Sequence, residues 1–414
     1  MRLPTALLTL AVLLAPSLPA QKTQKTVPTL TRPRLDAGAD TNDARSYYRY
    51  GMQRVNDKPA ESVRAFYWAT QIDPSSAEAM YALRTSSLLA LTSSELFDYF
   101  DWSRKKRPPE YLALDSLLYR AYTVNPFVYR MIDLPLIRAI IEADVINQYP
   151  SVDRAELNVH VIEQMSEMRK TGWMSYAQGR FPDALDAYAK QLSDKRRTKK
   201  DHEENDSELH ADRARVFYQM GNMDSARAEL TAAIGAMRER DTKSTVILYE
   251  SKAMYEQSLG MIDERASKPD DAREAYGQAL TEDLSYYAAH SLLSRLQLKQ
   301  GDTTAALSEM DLAVQLQPND PALRYSYAVL LVQARRRDAE AVQQLMKAIA
   351  LDPYYAPPRL LLARISDVEE YTEEAVKGYQ DYVSLTPKSD PQLPAVRTRL
   401  AALTSAVAST TAKP

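Results

Sequence analysis

YAAHSLLSRLQLKQGDTTAALSEMDLAVQLQP, residues 287–318, carries two apolar stripes at helical spacing, split by a turn at Gly301 and closed by Pro318. Its small residues Ser294, Ala306 and Ala313 fall where the two helices of a hairpin would have to cross closely. The phrase at its centre, a glycine followed five residues later by an alanine, is Gly301–Ala306 and recurs as Gly179–Ala184 and Gly221–Ala226. A recurrence of this kind predicts a stack of helical hairpins, each packed on its neighbours.

Working outward, the small residue of each second helix falls at Ala184, Ala226, Ala272, Ala306, Ala341 and Ala375, and the last three intervals are 34, 35 and 34 residues. The closing prolines Pro318, Pro353 and Pro387 repeat at 35 and 34. The earlier intervals of 42 and 46 are stretched by a polar insert near 194–207 and by an extended helix expected at 243–265. A large residue follows each alanine four positions on: Tyr188, Leu230, Tyr276, Met310, Leu345 and Tyr379. Upstream, residues 43–75 read as one more pair of the same kind, and 77–148 as helical but irregular, with a capping box at Thr92-x-x-Glu95. Aromatics crowd that irregular segment, and we read them as the core of degenerate repeats. A docking patch or dimer contact is the alternative.

Length would suggest two or three domains, but an array escapes that rule. With 10 glycines and plentiful Ala, Leu, Glu, Arg and Gln, the composition favours helix. The 52 basic and 55 acidic residues leave a net charge of −3, so nothing global points to nucleic acid. There is no cysteine, which excludes thiol catalysis, disulfides and iron–sulfur clusters. Residues 1–20 have the parts of a secretory signal: Arg2, the apolar run Ala6–Ala15, and Pro16–Ala20 before a cut. That run is shorter than the roughly 20 residues a bilayer requires, and no later segment is apolar enough, so no transmembrane segment is expected. Export to a periplasm or the extracellular space is. Residues 21–42 are polar with two prolines and are expected to form a disordered leader.

The register resembles that of the tetratricopeptide repeat family, a helix–turn–helix of 34 residues with small residues at positions 8, 20 and 27, a bulky one at 24 and Pro at 32. Position 8 here is Gly172, Ala214, Gly260, Ser294, Ala328 and Ala363. The resemblance covers 151–390 well and 43–75 acceptably. It implies an all-α, right-handed superhelical solenoid of antiparallel helix pairs, with an irregular helical segment near the N-terminal end. The expected organisation is a signal peptide at 1–20, a leader at 21–42, degenerate repeats at 43–150, the regular array at 151–390, and a capping helix with a polar tail at 391–414.

Catalytic motifs are sparse. His160, His202, His210 and His290 are dispersed, and HEEND at 202–206 has Asp where a zinc-protease helix would place its second His. The acidic stretch 201–212 lacks the glycine turn of a calcium loop, so it reads as a solvated linker, and the basic run 195–200 as its neutralising neighbour. Neither metal nor cofactor is expected, and the chain reads as a non-enzyme. An enzymatic or ligand-binding module within 77–148, or a structural part of an envelope assembly, are the competing readings.

The resemblance also implies where a partner would bind, since in that family the first helix of each pair lines a concave face. The expected partner-binding residues there are Arg169, Trp173, Tyr176, Arg215, Tyr218, Arg295, Lys299, Tyr325 and Arg364. Aromatics and Arg dominate binding hot spots, and Arg suits bidentate capture of carboxylates. The expected partner is another protein or peptide, an acidic segment being one that these arginines would suit. Any helix surface carries some Arg and Tyr, and this chain has 26 tyrosines, so composition alone accounts for much of the pattern.

Overall fold

The computed structural model describes residues 30–100, 108–168, 172–240, 251–334 and 338–411. The expected signal peptide, the start of the leader, residues 243–250 of the extended helix and Arg169 lie outside the described residues. From Arg32 onward the chain forms one compact unit. Among the described residues it holds twenty helices and no strand, an all-helical solenoid.

The regular array begins with Trp173–Ala177 and Phe181–Leu192 and continues through Lys199–Gln219 with Met223–Arg240 and Lys252–Arg265 with Pro269–Glu282. It proceeds through Tyr287–Lys299 with Thr303–Leu316, Pro321–Gln333 with Asp338–Leu351, and Pro357–Val368 with Thr372–Leu385. The helix Leu393–Thr411 then packs on the last pair through Leu393, Val396 and Leu403. The six periodic alanines are all fully buried at 0% exposure, because each sits where its helix crosses a neighbour. The turns within the pairs share one design. Gly179, Gly221 and Gly301 have φ of 73°, 78° and 87°, and Ser267 and Glu370 take φ of 61° and 63° at the equivalent place. In each turn the next N–H reaches back five residues to close the helix, as Asp302 N does to the Gln297 carbonyl at 2.9 Å and Tyr371 N to Ser366 at 2.8 Å.

The irregular segment is a split pair. Ala77–Leu89 packs against Pro109–Val124, and the short helix Ser93–Phe100 lies between them in sequence. The capping box forms as expected: Glu95 N donates to Thr92 Oγ1 at 3.3 Å and Thr92 N to Glu95 Oε2 at 2.8 Å. Of the crowded aromatics, Tyr99, Tyr111, Tyr122 and Phe127 are buried, whereas Phe97 is 38% exposed.

Two expectations are corrected. The acidic stretch 201–212 is no linker but part of the 21-residue helix Lys199–Gln219. Its charges are bonded at short range, Arg197 to Asp206 at 2.6 Å and His210 to Glu229 at 2.7 Å, which makes a helix of so polar a stretch tenable. The leader is ordered from Arg32. Arg32 Nε donates to the Tyr47 hydroxyl at 2.6 Å, and its guanidinium lies 4.8 Å from the Trp68 ring. Asp36 pairs with Arg54 at 2.9 Å. Polar composition misled here because the leader is held by cation–aromatic and backbone contacts, which leave no apolar periodicity.

The first helices do not extend the stack as a straight rod. They turn back onto its inner side, where Val55, Phe66, Met80, Leu118 and Tyr122 share one buried cluster with Met254, Tyr286 and Ala289. The ends also meet. Lys388 N donates to Asp40 Oδ2 at 2.6 Å, Asn42 Nδ2 donates to the Ser384 carbonyl at 2.7 Å, and Trp68 meets Tyr354 edge-on with ring centroids 4.7 Å apart.

Candidate partner-binding groove

The groove is made by the first helices of successive pairs, and its opening section is filled by the chain itself. Between Pro109–Val124 and Asp133–Gln148 the backbone leaves the helix at Asn125, whose Oδ1 accepts the Phe127 N–H at 2.9 Å and fixes the turn. Phe127 then lies flat on Tyr218, with centroids 3.9 Å apart and planes at 9°. Gln219 Nε2 donates to the Phe127 carbonyl at 2.7 Å, and Gln257 Nε2 to the Thr123 carbonyl at 2.9 Å. Tyr129 meets Tyr176 edge-on at 5.6 Å. Asp133, 1% exposed, accepts from Trp173 Nε1 at 3.0 Å and from the Tyr81 hydroxyl at 2.8 Å. Burial pushes its carboxyl above the usual range, opposed by the nearby Arg130 guanidinium and by these two donors.

Four of the expected contact residues, Trp173, Tyr176, Arg215 and Tyr218, are thus brought together, but by an internal segment. Arg215 is 6% exposed and bonded to Asp212 at 2.6 Å. Arg295 and Lys299 sit further along and converge on Glu264 of the preceding pair, at 3.0 and 3.4 Å. The Glu264 carboxyl is held below its ordinary range: burial pushes it up, and the two cations with the Tyr276 hydroxyl outweigh that.

Tyr325 and Arg364 lie in a different setting. They line a cavity of about 570 Å³ together with Val329, Tyr355, Leu360 and Leu361. Residues 42–45 near the other end of the chain, with Ile72, Asp73 and Ser75, line it as well. Tyr325 meets Tyr355 edge-on at 5.7 Å, and Arg364 Nη2 donates to Gln392 Oε1 at 2.7 Å. No described helix is long and apolar enough to cross a membrane.

Residues 258–321 match the family model described as "Tetratricopeptide repeat". The chain carries tetratricopeptide repeats. The matched span begins in the Lys252–Arg265 helix and contains the hairpin 287–318 quoted at the outset. No curated protein matches the sequence. Among solved structures, the repeats are similar to those of Pseudomonas aeruginosa PilF, at 17% identity, 57% of this chain, 98% of that one and a TM-score of 0.42. Yeast Tom70 is similar at 14% identity over 88% of this chain and 89% of its own, with a TM-score of 0.41. MamA from Desulfovibrio magneticus RS-1 is similar at 13% identity over 44% and 95%, with a TM-score of 0.37.

Sequence reasoning missed what several residues of the repeats do, although their repeat positions place Gln257, Glu264 and Asp367 among those expected to face the groove. Gln219 and Gln257 hold the resident segment by its backbone, and a glutamine on a helix gives no sign of such a role. Glu264 and Asp367 each accept from the tyrosine twelve residues on, Tyr276 at 3.1 Å and Tyr379 at 3.0 Å. Asp367 is also gripped by Arg399 of the final helix at 2.6 Å. His210 and His290 tie the first helix of a repeat to its second, through Glu229 and Glu309 at 2.7 and 2.6 Å. That spacing of nineteen residues in both pairs was the available signal. In 77–148, Arg84 Nη2 donates to the Tyr99 hydroxyl at 3.1 Å, and that hydroxyl donates to Asp115 Oδ1 at 2.5 Å.

Proposed function

We propose that this chain is a protein–protein interaction scaffold that takes a partner segment into the open section of its concave groove, around Tyr325, Val329, Leu361 and Arg364. The observation that carries the reading is the contrast along one groove: the section under Trp173–Gln257 is filled by residues 122–133, and the section under Tyr325–Arg364 holds a cavity of about 570 Å³. Tetratricopeptide repeats bind peptides and proteins through such faces, and aromatic and Arg side chains are the types that anchor them. Among the expected contact residues, Tyr325 and Arg364 are the ones this reading retains. Arg215 is buried and ion-paired, so reversing its charge would damage the fold rather than report on binding.

The test is capture of envelope proteins by the tagged full chain, set beside the same chain carrying Arg364→Glu. Partners held by the parent and lost by the variant, with unchanged melting, support the reading; identical capture by both overturns it. We also propose export to the periplasm or cell exterior, from Arg2 and the apolar run Ala6–Ala15. Terminal sequencing of the protein recovered from its host should begin near Gln21, and an intact Met1 in the cytosolic fraction would refute export.

A further inference from the structure

We propose that the first helices form a lid over the cavity, hinged where they pack on residues 254–289 and latched at the other edge by Arg32 of the leader. This lid controls access to the site of the functional reading, and rests on that reading only for what enters.

The first helices are anchored in apolar packing along one edge. Val55, Phe66, Met80, Leu118 and Tyr122 are buried together with Met254, Tyr286 and Ala289. Further along, the buried clusters that run through 306–345 and 356–403 include no described residue of those helices. Contact with the later repeats falls instead on Tyr354, which packs against the cluster of Tyr47, Trp68, Ala69 and Ala79. An edge with so little buried apolar area opens locally while the other edge stays in place. The cavity lies at the weak edge and is lined by both parties, Asn42, Ile72 and Ser75 with Tyr325, Val329 and Leu361.

The leader fastens that edge. The Arg32 guanidinium lies 5.3 Å from the centroid of the Tyr47 ring, 4.8 Å from that of Trp68 and 5.9 Å from that of Tyr354. Two of these rings belong to the lid helices Ala44–Arg54 and Pro59–Ile72, and the third to the turn before Pro357–Val368. One cation thus joins both parties, at distances where aromatic rings attract it. Its Nε donates to the Tyr47 hydroxyl at 2.6 Å and its Nη2 donates to the Thr41 carbonyl, which fixes the guanidinium at the junction. Beyond Thr41 the same edge is held by the bonds of Asp40 to Lys388 N and of Asn42 to the Ser384 carbonyl. Both of those bonds are exposed, so water replaces them at little cost. Arg32, half-buried among three rings, is the stronger member of the fastening.

The chain has no cysteine, so Val329→Cys places a single thiol in the lining of the cavity. Its rate of reaction with a bulky maleimide reports how often the lid opens. Arg32→Ala and Tyr354→Ala should each speed that reaction about tenfold, with helicity unchanged. The two together should speed it no further than either alone, because they remove one and the same contact. Val314→Cys, buried and outside the cavity, should react at one slow rate in the parent and in all three variants. Unchanged labelling at Val329→Cys in Arg32→Ala would overturn the latch. So would accelerations that multiply in the double variant, since Arg32 and Tyr354 would then act separately. Equal acceleration at Val314→Cys would also overturn it, by revealing general loosening in place of a lid. The readout involves no partner, so a missing acceleration leaves the groove reading standing, and a failure to capture envelope proteins leaves the latch standing.

Discussion

Gly260 and Tyr276 show how finely the pairs are fitted. A β-carbon on Gly260 would come within 2.4 Å of the Tyr276 ring, and one on Gly172 within 2.6 Å of Tyr188. Where the bulky residue is Leu230 or Met310, the residue sixteen positions earlier is Ala214 or Ser294 instead, and Ala363 before Tyr379 follows neither pairing. Gly260→Ala should therefore cost about 1–3 kcal/mol by overpacking, measurable by urea unfolding, and Tyr276→Leu should recover part of that loss. The turns give the opposite opportunity. Glu370 adopts a positive φ that three sister turns assign to glycine, and its side chain is exposed. Glu370→Gly should stabilise the chain by up to about 1 kcal/mol, read as a raised melting temperature. Burial pushes the Asp352 carboxyl up to about 7, against the N–H groups of Tyr354 and Tyr355 that favour its ionised form. The folded chain thus keeps a proton that the unfolded chain releases near pH 4. Stability from this group is complete at low pH and declines as pH rises from about 4 through 7. Asp352→Asn, which retains the acceptor for Tyr354 N, should melt higher than the parent at pH 8, with the difference shrinking towards pH 5.

At the scale of elements, the array was legible because its signal is local. Ala306 and Ala313 lie twelve and nineteen residues from Ser294, and all three are buried in one hairpin. The split pair was not legible, because Ala77–Leu89 and Pro109–Val124 are separated by a helix of their own and break the period. Nor was the resident segment, since Gln219 meets Phe127 across 92 residues and nothing periodic announces it. Position within the repeat carried no information on what would lie against Trp173, Tyr176, Arg215 and Tyr218. The segment should matter energetically. Phe127 is 2% exposed, and Phe127→Ala should cost about 3–5 kcal/mol. Hydrogen exchange should quicken first in 122–133 and in the helices Trp173–Ala177 and Lys199–Gln219, because neighbours in an array share their losses locally. Uniform quickening across the whole chain would contradict that account.

For the molecule as a whole, the sequence conveyed an open stack and the structure shows a stack closed by its own first helices. The contacts responsible are few and polar at the rim, Asp40 with Lys388 and Asn42 with Ser384, backed by Trp68 against Tyr354. No composition or periodicity argument reaches across 342 residues to such a bond. The bond between Asn42 and Ser384 has a further consequence for connectivity. The folded course of the chain starts against the turn that precedes its final helix, so a linker as long as Leu393–Thr411 would join the two ends without disturbing the contacts. A circular permutant with the two ends linked, and new termini opened in the exposed turn at 194–196, keeps each helix pair and the groove between them. It should match the parent in helicity and melt within a few degrees of it; failure to fold would mean that the early helices must form first to template the groove they later fill.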